Sequence, residues 1–175
     1  TVSVAQAKAG IDFTAGDTVV VSDSGANLGD PLNSYGANVD SINIESGTMN
    51  INDTDLGTTV VTGNALTVTT DDASADFSNV NVTTLTIEDS SSDVTITGSA
   101  NADILNLAGG QDTIDLGEGA DTVNVSSTSI TTNDTVDAGG GNDTLNITSA
   151  SGSLDDADFT NVSNFETLQM STGDN

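Results

Sequence analysis

Residues 98–147 read GSANADILNLAGGQDTIDLGEGADTVNVSSTSITTNDTVDAGGGNDTLNI, and their spacing decides the fold. Asp103, Asp112 and Asp121 recur every nine residues, and Asp134 and Asp143 repeat that interval after a gap of thirteen. Two residues after each Asp stands a large aliphatic: Leu105, Ile114, Val123, Val136 and Leu145. Two further on come Leu107, Leu116, Val125, Ala138 and Ile147. Alternation over so few positions makes a short strand with one face buried. Glycine clusters reverse the chain where a side chain would clash. A strand and a turn every nine residues predict half a coil of a parallel β-roll, with aliphatics pointing inward.

Stacked coils bring the Asp carboxylates and the loop carbonyls into the gaps between loops. The result is an oxygen-only cage, suited to a hard cation that takes many oxygen ligands, above all Ca²⁺. The loops expected to contribute are built on Gly98, Asn101 and Asp103; on Gly110 and Asp112; on Gly117, Gly119 and Asp121; and on Gly139, Gly141 and Asp143. Asn101 stands where a second glycine is usual, and Asn tolerates the left-handed conformation. Asp134 follows residues 130–133 (ITTN), which lack glycine, so that repeat is expected to keep its strand without a full site. Because one coil is two repeats, Asp103, Asp121 and Asp143 should share one side, with Asp112 and Asp134 on the other. The bland alternative is an array of Asp/Gly turns with no ion. The motif resembles the calcium-binding nonapeptide of RTX proteins, G-G-x-G-x-D-x-U-x, most closely at 117–123 and 139–145.

Composition narrows the function classes. The chain has 175 residues, 27 Asp plus Glu, a single Lys (Lys8), and no Arg, His or Cys, for a net charge of −26. Such acidity argues against a nucleic-acid partner and against an anionic membrane surface. Two like charges about 4 Å apart repel by roughly 4 kcal/mol at an effective dielectric near 20. Stacked Asp loops therefore call for cations, which ties metal binding to folding. Without His and Cys, the commonest general base, zinc ligands and thiolate chemistry are absent. No nucleophile–base–oxyanion set is visible, and pairs such as Asp71-Asp72 and Asp155-Asp156 are expected by chance among so many acids, so the chain is read as a non-enzyme. No apolar run is long enough to span a membrane. With few aromatics and no Trp, a broad globular core is not expected, but a solenoid needs only a thin aliphatic stack.

The fold class expected is all-β: a parallel β-solenoid, a β-helix running into a calcium-binding β-roll. Residues 1–47 read as its strand and short-helix start, and 48–175 as the solenoid proper, parts of one continuous domain. Strands are expected at 19–21, 41–45, 48–51, 58–62, 65–69, 84–87 and 94–97. Turns are expected at 22–28, 53–55, 63–64, 71–72 and 90–92, and a short helix at 30–36. Residues 1–44 are similar to a module of very large bacterial surface proteins. A second repeat pairs Ala75-Asp76-Phe77-Ser78-Asn79-Val80 with Ala157-Asp158-Phe159-Thr160-Asn161-Val162, each followed by a strand, and Ser41-Ile42-Asn43-Ile44 resembles that strand. Phe77, Phe159 and Phe165 are expected to plug the core. The F-x-N-F-E-T-L form within 159–168 resembles segments of bacterial surface-layer proteins and RTX adhesins. Residues 126–132 are expected to bulge as a tolerated loop.

The resemblance implies a secreted, extracellular or cell-surface protein exported by type I secretion: unfolded in low cytosolic Ca²⁺, folded by millimolar Ca²⁺ outside. The function expected is structural, as a subunit or repeat of a surface layer, sheath or filament that self-associates. The alternatives are an adhesin module binding a glycan or ice, the latter on the Thr67/Thr69, Thr84/Thr86 and Thr95/Thr97 pairs, or the folding module of an RTX enzyme. The chain reads as a mature segment or a piece of a larger protein.

Overall fold

The computed structural model describes residues 1, 20–28, 41–56, 59–70, 72–149 and 154–170. In chain order these form β1 (Val20–Ser24), α1 (Gly25–Leu28), β2 (Ser41–Asn52), α2 (Asp53–Leu56), β3 (Val60–Thr69), β4 (Ser74–Asp76), β5 (Val80–Glu88) and β6 (Thr95–Thr97). Then follow β7 (Asp103–Asn106), β8 (Thr113–Asp115), β9 (Glu118–Gly119), β10 (Thr122–Ser126), β11 (Thr135–Asp137), β12 (Gly140–Gly141), β13 (Thr144–Ser149), β14 (Val162–Ser163) and β15 (Thr167–Met170). Every strand pairing is parallel.

The chain winds as a β-solenoid. One sheet runs β1-β2-β3-β5-β7-β10-β13-β15, the other β4-β6-β8-β11-β14, and β9 pairs with β12 at the loops. Alternation sets the inside: Ile42, Val61, Leu66, Val68, Leu85, Ile87, Leu105 and Val123 are buried from the first sheet, and Ala75, Ile96, Ile114 and Val136 from the second. Each coil covers the aliphatics of the next, so a thin core suffices. Phe77 is fully buried, the largest side chain of that core, at the corner between β4 and β5. Phe159 and Phe165 are only partly buried against the same core.

Several local expectations are corrected. Residues 22–28 are not a simple turn; strand continues to Ser24, and Gly25–Leu28 makes one helical turn that buries Leu28. Gly25 lies so close to the Thr48 backbone that a Cβ there would collide with it. Residues 53–55 likewise belong to a helical turn, α2. Gly63-Asn64 is no turn but lies within β3, where a φ of 105° at Gly63 accompanies the register shift against β2. Residues 126–132 do not bulge: Ser127, Ser129 and Ile130 are buried, and Ser126 Oγ ties to Ser129 Oγ at 2.7 Å. The apolar Ile130 folds the insertion back. The expected short helix at 30–36 lies outside the described residues.

The Phe-containing repeat is only half structural. In both copies the amide of the residue that opens the next strand closes the same turn, Val80 on Phe77 at 2.8 Å and Val162 on Phe159 at 3.2 Å. Yet Val80 enters the eight-stranded sheet and Val162 the five-stranded one. The following strands, within β5 and as β15, do share the eight-stranded sheet.

Candidate metal centre

The five nonapeptide Asp side chains are all buried. Parallel register puts Asp103, Asp121 and Asp143 at successive levels on one side of the roll, and Asp112 and Asp134 on the other. Hydrogen bonds link the levels. The Asp103 amide donates to Asp121 Oδ1 at 2.7 Å, and the Asp121 amide to Asp143 Oδ1 at 2.7 Å. On the opposite side the Val94 amide donates to Asp112 Oδ1 at 3.1 Å, and the Asp112 amide to Asp134 Oδ1 at 2.9 Å. Asp112, Asp121, Asp134 and Asp143 thus each reach back one coil with one oxygen.

The second oxygen separates the five. Asp103 is satisfied within its own turn, Oδ2 by the Ser99 amide and Oδ1 by the Ser99 hydroxyl, each at 2.7 Å. Asp134 Oδ2 accepts from the Thr131 amide at 2.7 Å and the Thr131 hydroxyl at 3.1 Å. Asp112, Asp121 and Asp143 each keep a buried Oδ2 with no hydrogen-bond partner. A buried, unpaired carboxylate oxygen costs free energy unless a cation takes it. The two loops that match the nonapeptide most closely, at 117–123 and 139–145, are among those that leave this oxygen open.

The glycines stack the loops. A Cβ on Gly139 would strike the Gly117 carbonyl, and one on Gly141 the Gly119 carbonyl. On Gly119 it would lie 2.6 Å from the Asn101 carbonyl and 2.6 Å from Asp121 Oδ1; on Gly117, 2.6 Å from the Ser99 carbonyl. Gly98 packs against the Leu116 carbonyl and 2.7 Å from Asp103 Oδ2, and Gly110 stands 2.9 Å from the Ser92 carbonyl by the same measure. Gly117 and Gly139 also hold φ of 91° and 86°, a region few L side chains enter. Two files of carbonyls therefore run beside the file of carboxylates. Asn101 is not in the left-handed region expected for it; among the described residues only Ser91 and Asn164 are non-glycine positions with positive φ.

Burial pushes the Asp121 carboxyl up to about 7, against the hydrogen bond from the Asp103 amide, and the Asp103 and Asp143 charges push the same way. Burial raises Asp103 to about 6, opposed by the Ser99 hydroxyl and amide. Burial also raises Asp112 to about 6, opposed by the Val94 amide and reinforced by Asp89, Asp134 and Asp93. Among the described residues no three Asp, Glu, His or Cys side chains converge as a ready metal cluster. Each loop offers one carboxylate, so a bound cation must draw most ligands from backbone carbonyls. Oxygen donors alone, one charge per level and close-stacked glycine loops fit Ca²⁺.

A family model of the RTX calcium-binding nonapeptide repeat, in four copies, matches residues 86–114, 95–123 and 131–146. The chain carries RTX repeats. The match begins one loop earlier than the array read from the sequence, at a loop whose register position for Asp is Val94. RTX loops in this chain are reinforced by residues that spacing did not single out. Asp89 accepts from the Ala108 amide at 3.0 Å and Asp93 from the Gln111 amide at 2.9 Å; Ser99 and Thr131 close their own turns. A Ser or Thr three or four residues before the Asp was the available signal. No curated protein and no solved structure matches the chain.

The threonine pairs do not form one flat array. Thr67 neighbours Thr86, but Thr84 neighbours Ala65, and Thr95 and Thr97 belong to the other sheet. No helix among the described residues is long and apolar enough to cross a membrane.

Proposed function

We propose that this chain is a structural, calcium-folded β-roll of a secreted bacterial surface protein, with no catalytic step. The observation that carries the reading is the set of unpartnered buried oxygens on Asp112, Asp121 and Asp143 beside the stacked loop carbonyls. The residues that would hold Ca²⁺ are these three, with the loop backbones at Gly110, Gly117, Gly119, Gly139 and Gly141; Asp103 and Asp134 serve as hydrogen-bonded ends. When bound, the ion supplies positive charge that the chain lacks. Binding to the folded form alone pulls the folding equilibrium. A site of the extracellular class, with affinity of roughly 10⁻⁴–10⁻³ M, is empty at cytosolic Ca²⁺ and filled outside, which suits export of an unfolded chain.

Self-association into an array or filament is part of this reading. At the β15 end Leu168 is 60% and Met170 50% exposed, although both continue columns that are buried in β13. A strand edge flanked by exposed apolar side chains is suited to pairing with another strand.

Circular dichroism and melting with Ca²⁺ and with chelator test the fold switch: a large gain in β signal and melting temperature on Ca²⁺ is expected. An unchanged signal rejects it. Sedimentation in millimolar Ca²⁺ tests the assembly, and a monomer at high protein concentration rejects that part.

A further inference from the structure

The carboxylate file does not stop with the last nonapeptide. The Asp143 amide donates to Glu166 Oε2 at 2.8 Å, the same bond that joins Asp103 to Asp121 and Asp121 to Asp143. The Glu166 amide donates back to the Asp143 carbonyl at 3.2 Å, as expected of the next parallel level. The family match ends at residue 146, well before this turn.

We propose that Glu166 completes a further divalent-cation site, between the 139–143 loop and the 162–166 turn, one coil beyond the motif array. This rests on the calcium reading above. Asn164 lies two residues before Glu166, as Gly141 does before Asp143, and its φ of 61° gives the turn a left-handed position there. Its side-chain amide donates to Asp137 Oδ1 at 2.6 Å, and the Ser163 carbonyl accepts the Ala138 amide at 3.2 Å, so the turn is fastened to the coil below. The Asp143 side chain is fully buried and its Oδ2, one of the three open oxygens, has no partner. Asp143 spends Oδ1 on the Asp121 amide of the preceding coil, which leaves Oδ2 as the oxygen free for a cation beside the Glu166 carboxylate that its own amide binds. A hard cation accepting Asp143 Oδ2, a Glu166 oxygen and turn carbonyls would satisfy both charges.

Equilibrium dialysis and calorimetry against Ca²⁺ alone, on the full chain, decide the matter. Glu166→Gln keeps the oxygen that accepts the Asp143 amide but removes the charge. It should bind one Ca²⁺ fewer than the unaltered chain while the Asp143 amide stays protected from hydrogen exchange. Glu166→Asp, carrying the residue used at the three preceding levels, should keep that ion. An unchanged ion count in Glu166→Gln, or loss of the ion in Glu166→Asp, overturns the proposal. If the unaltered chain binds no Ca²⁺, the reading of the whole array fails, which is a different result from binding that ignores Glu166.

Discussion

One inward-facing column of the eight-stranded sheet is filled by Met49, Leu66 and Leu85 in the first coils and by Asp103, Asp121, Asp143 and Glu166 in the later ones. The backbone position is the same; only the chemistry changes. Where the column is aliphatic, the strands are long, 12, 10 and 9 residues in β2, β3 and β5. Where it is acidic, they shrink to 4, 5 and 6 residues in β7, β10 and β13, and glycine loops take up the rest. Burying a Leu or Met contributes about 1.5–3 kcal/mol without help. Burying a carboxylate instead opposes folding until a counter-charge arrives. The first coils are thus self-sufficient, and the later ones depend on an ion.

The largest effect should come from removing the cation. In chelator, amides of β7, β10 and β13 should exchange about 100-fold faster than in saturating Ca²⁺, the factor expected when free ion stands near 100 times its dissociation constant. Amides of β2, β3 and β5 should change far less. Equal loss of protection in both sets would erase the contrast between the two regions.

A smaller effect separates stacked from open glycines. Gly139→Ala must enter a left-handed position against the Gly117 carbonyl and should destabilise the Ca²⁺-loaded fold by about 1–3 kcal/mol. Gly109, with nothing within 4 Å of its would-be Cβ, should accept Ala within about 0.5 kcal/mol. Denaturant melts of the two variants would measure this, and equal costs would mean that loop stacking is not limiting.

The smallest effect is the pH response. Asp103, Asp112 and Asp121 have folded-state pKa values raised from 3.8 to about 6, 6 and 7. Between those limits the ion-free folded chain binds more protons than the unfolded chain. Their contribution is therefore full below about pH 4 and lost as pH rises through 6 to 7. With Ca²⁺ the sign reverses, because protons compete for the same oxygens, so apparent affinity should fall as pH drops from about 7 to below 6. Melting temperature against pH, with and without Ca²⁺, should give opposite slopes in that window; parallel slopes would detach the raised carboxyls from the ion sites.

The array was legible because its period is short and local. Nine residues set strand, turn and Asp together, and two half-coils to a turn, one of them lengthened to thirteen residues, put Asp103, Asp121 and Asp143 on one side. Glu166 was not legible, since its ladder bond spans 23 residues and no glycine loop precedes it. Nor was the satisfied state of Asp103 and Asp134, which depends on where the Ser99 and Thr131 hydroxyls point. The helical turns at Gly25 and Asp53 escaped for a similar reason: four residues carry no period, and Leu28 and Leu56 are buried by neighbouring coils.

Spacing along the chain dictates the parallel roll, its inward aliphatics and the acid-bearing loops, because a repeat of nine leaves one way to bury Leu105, Val123 and Leu145 together. Which carboxylate oxygens stay open, at Asp112, Asp121 and Asp143, and which are closed is settled in three dimensions. That choice is made by amides and hydroxyls 3 to 22 residues away, set within hydrogen-bond reach by the local turns and the stacking of coils.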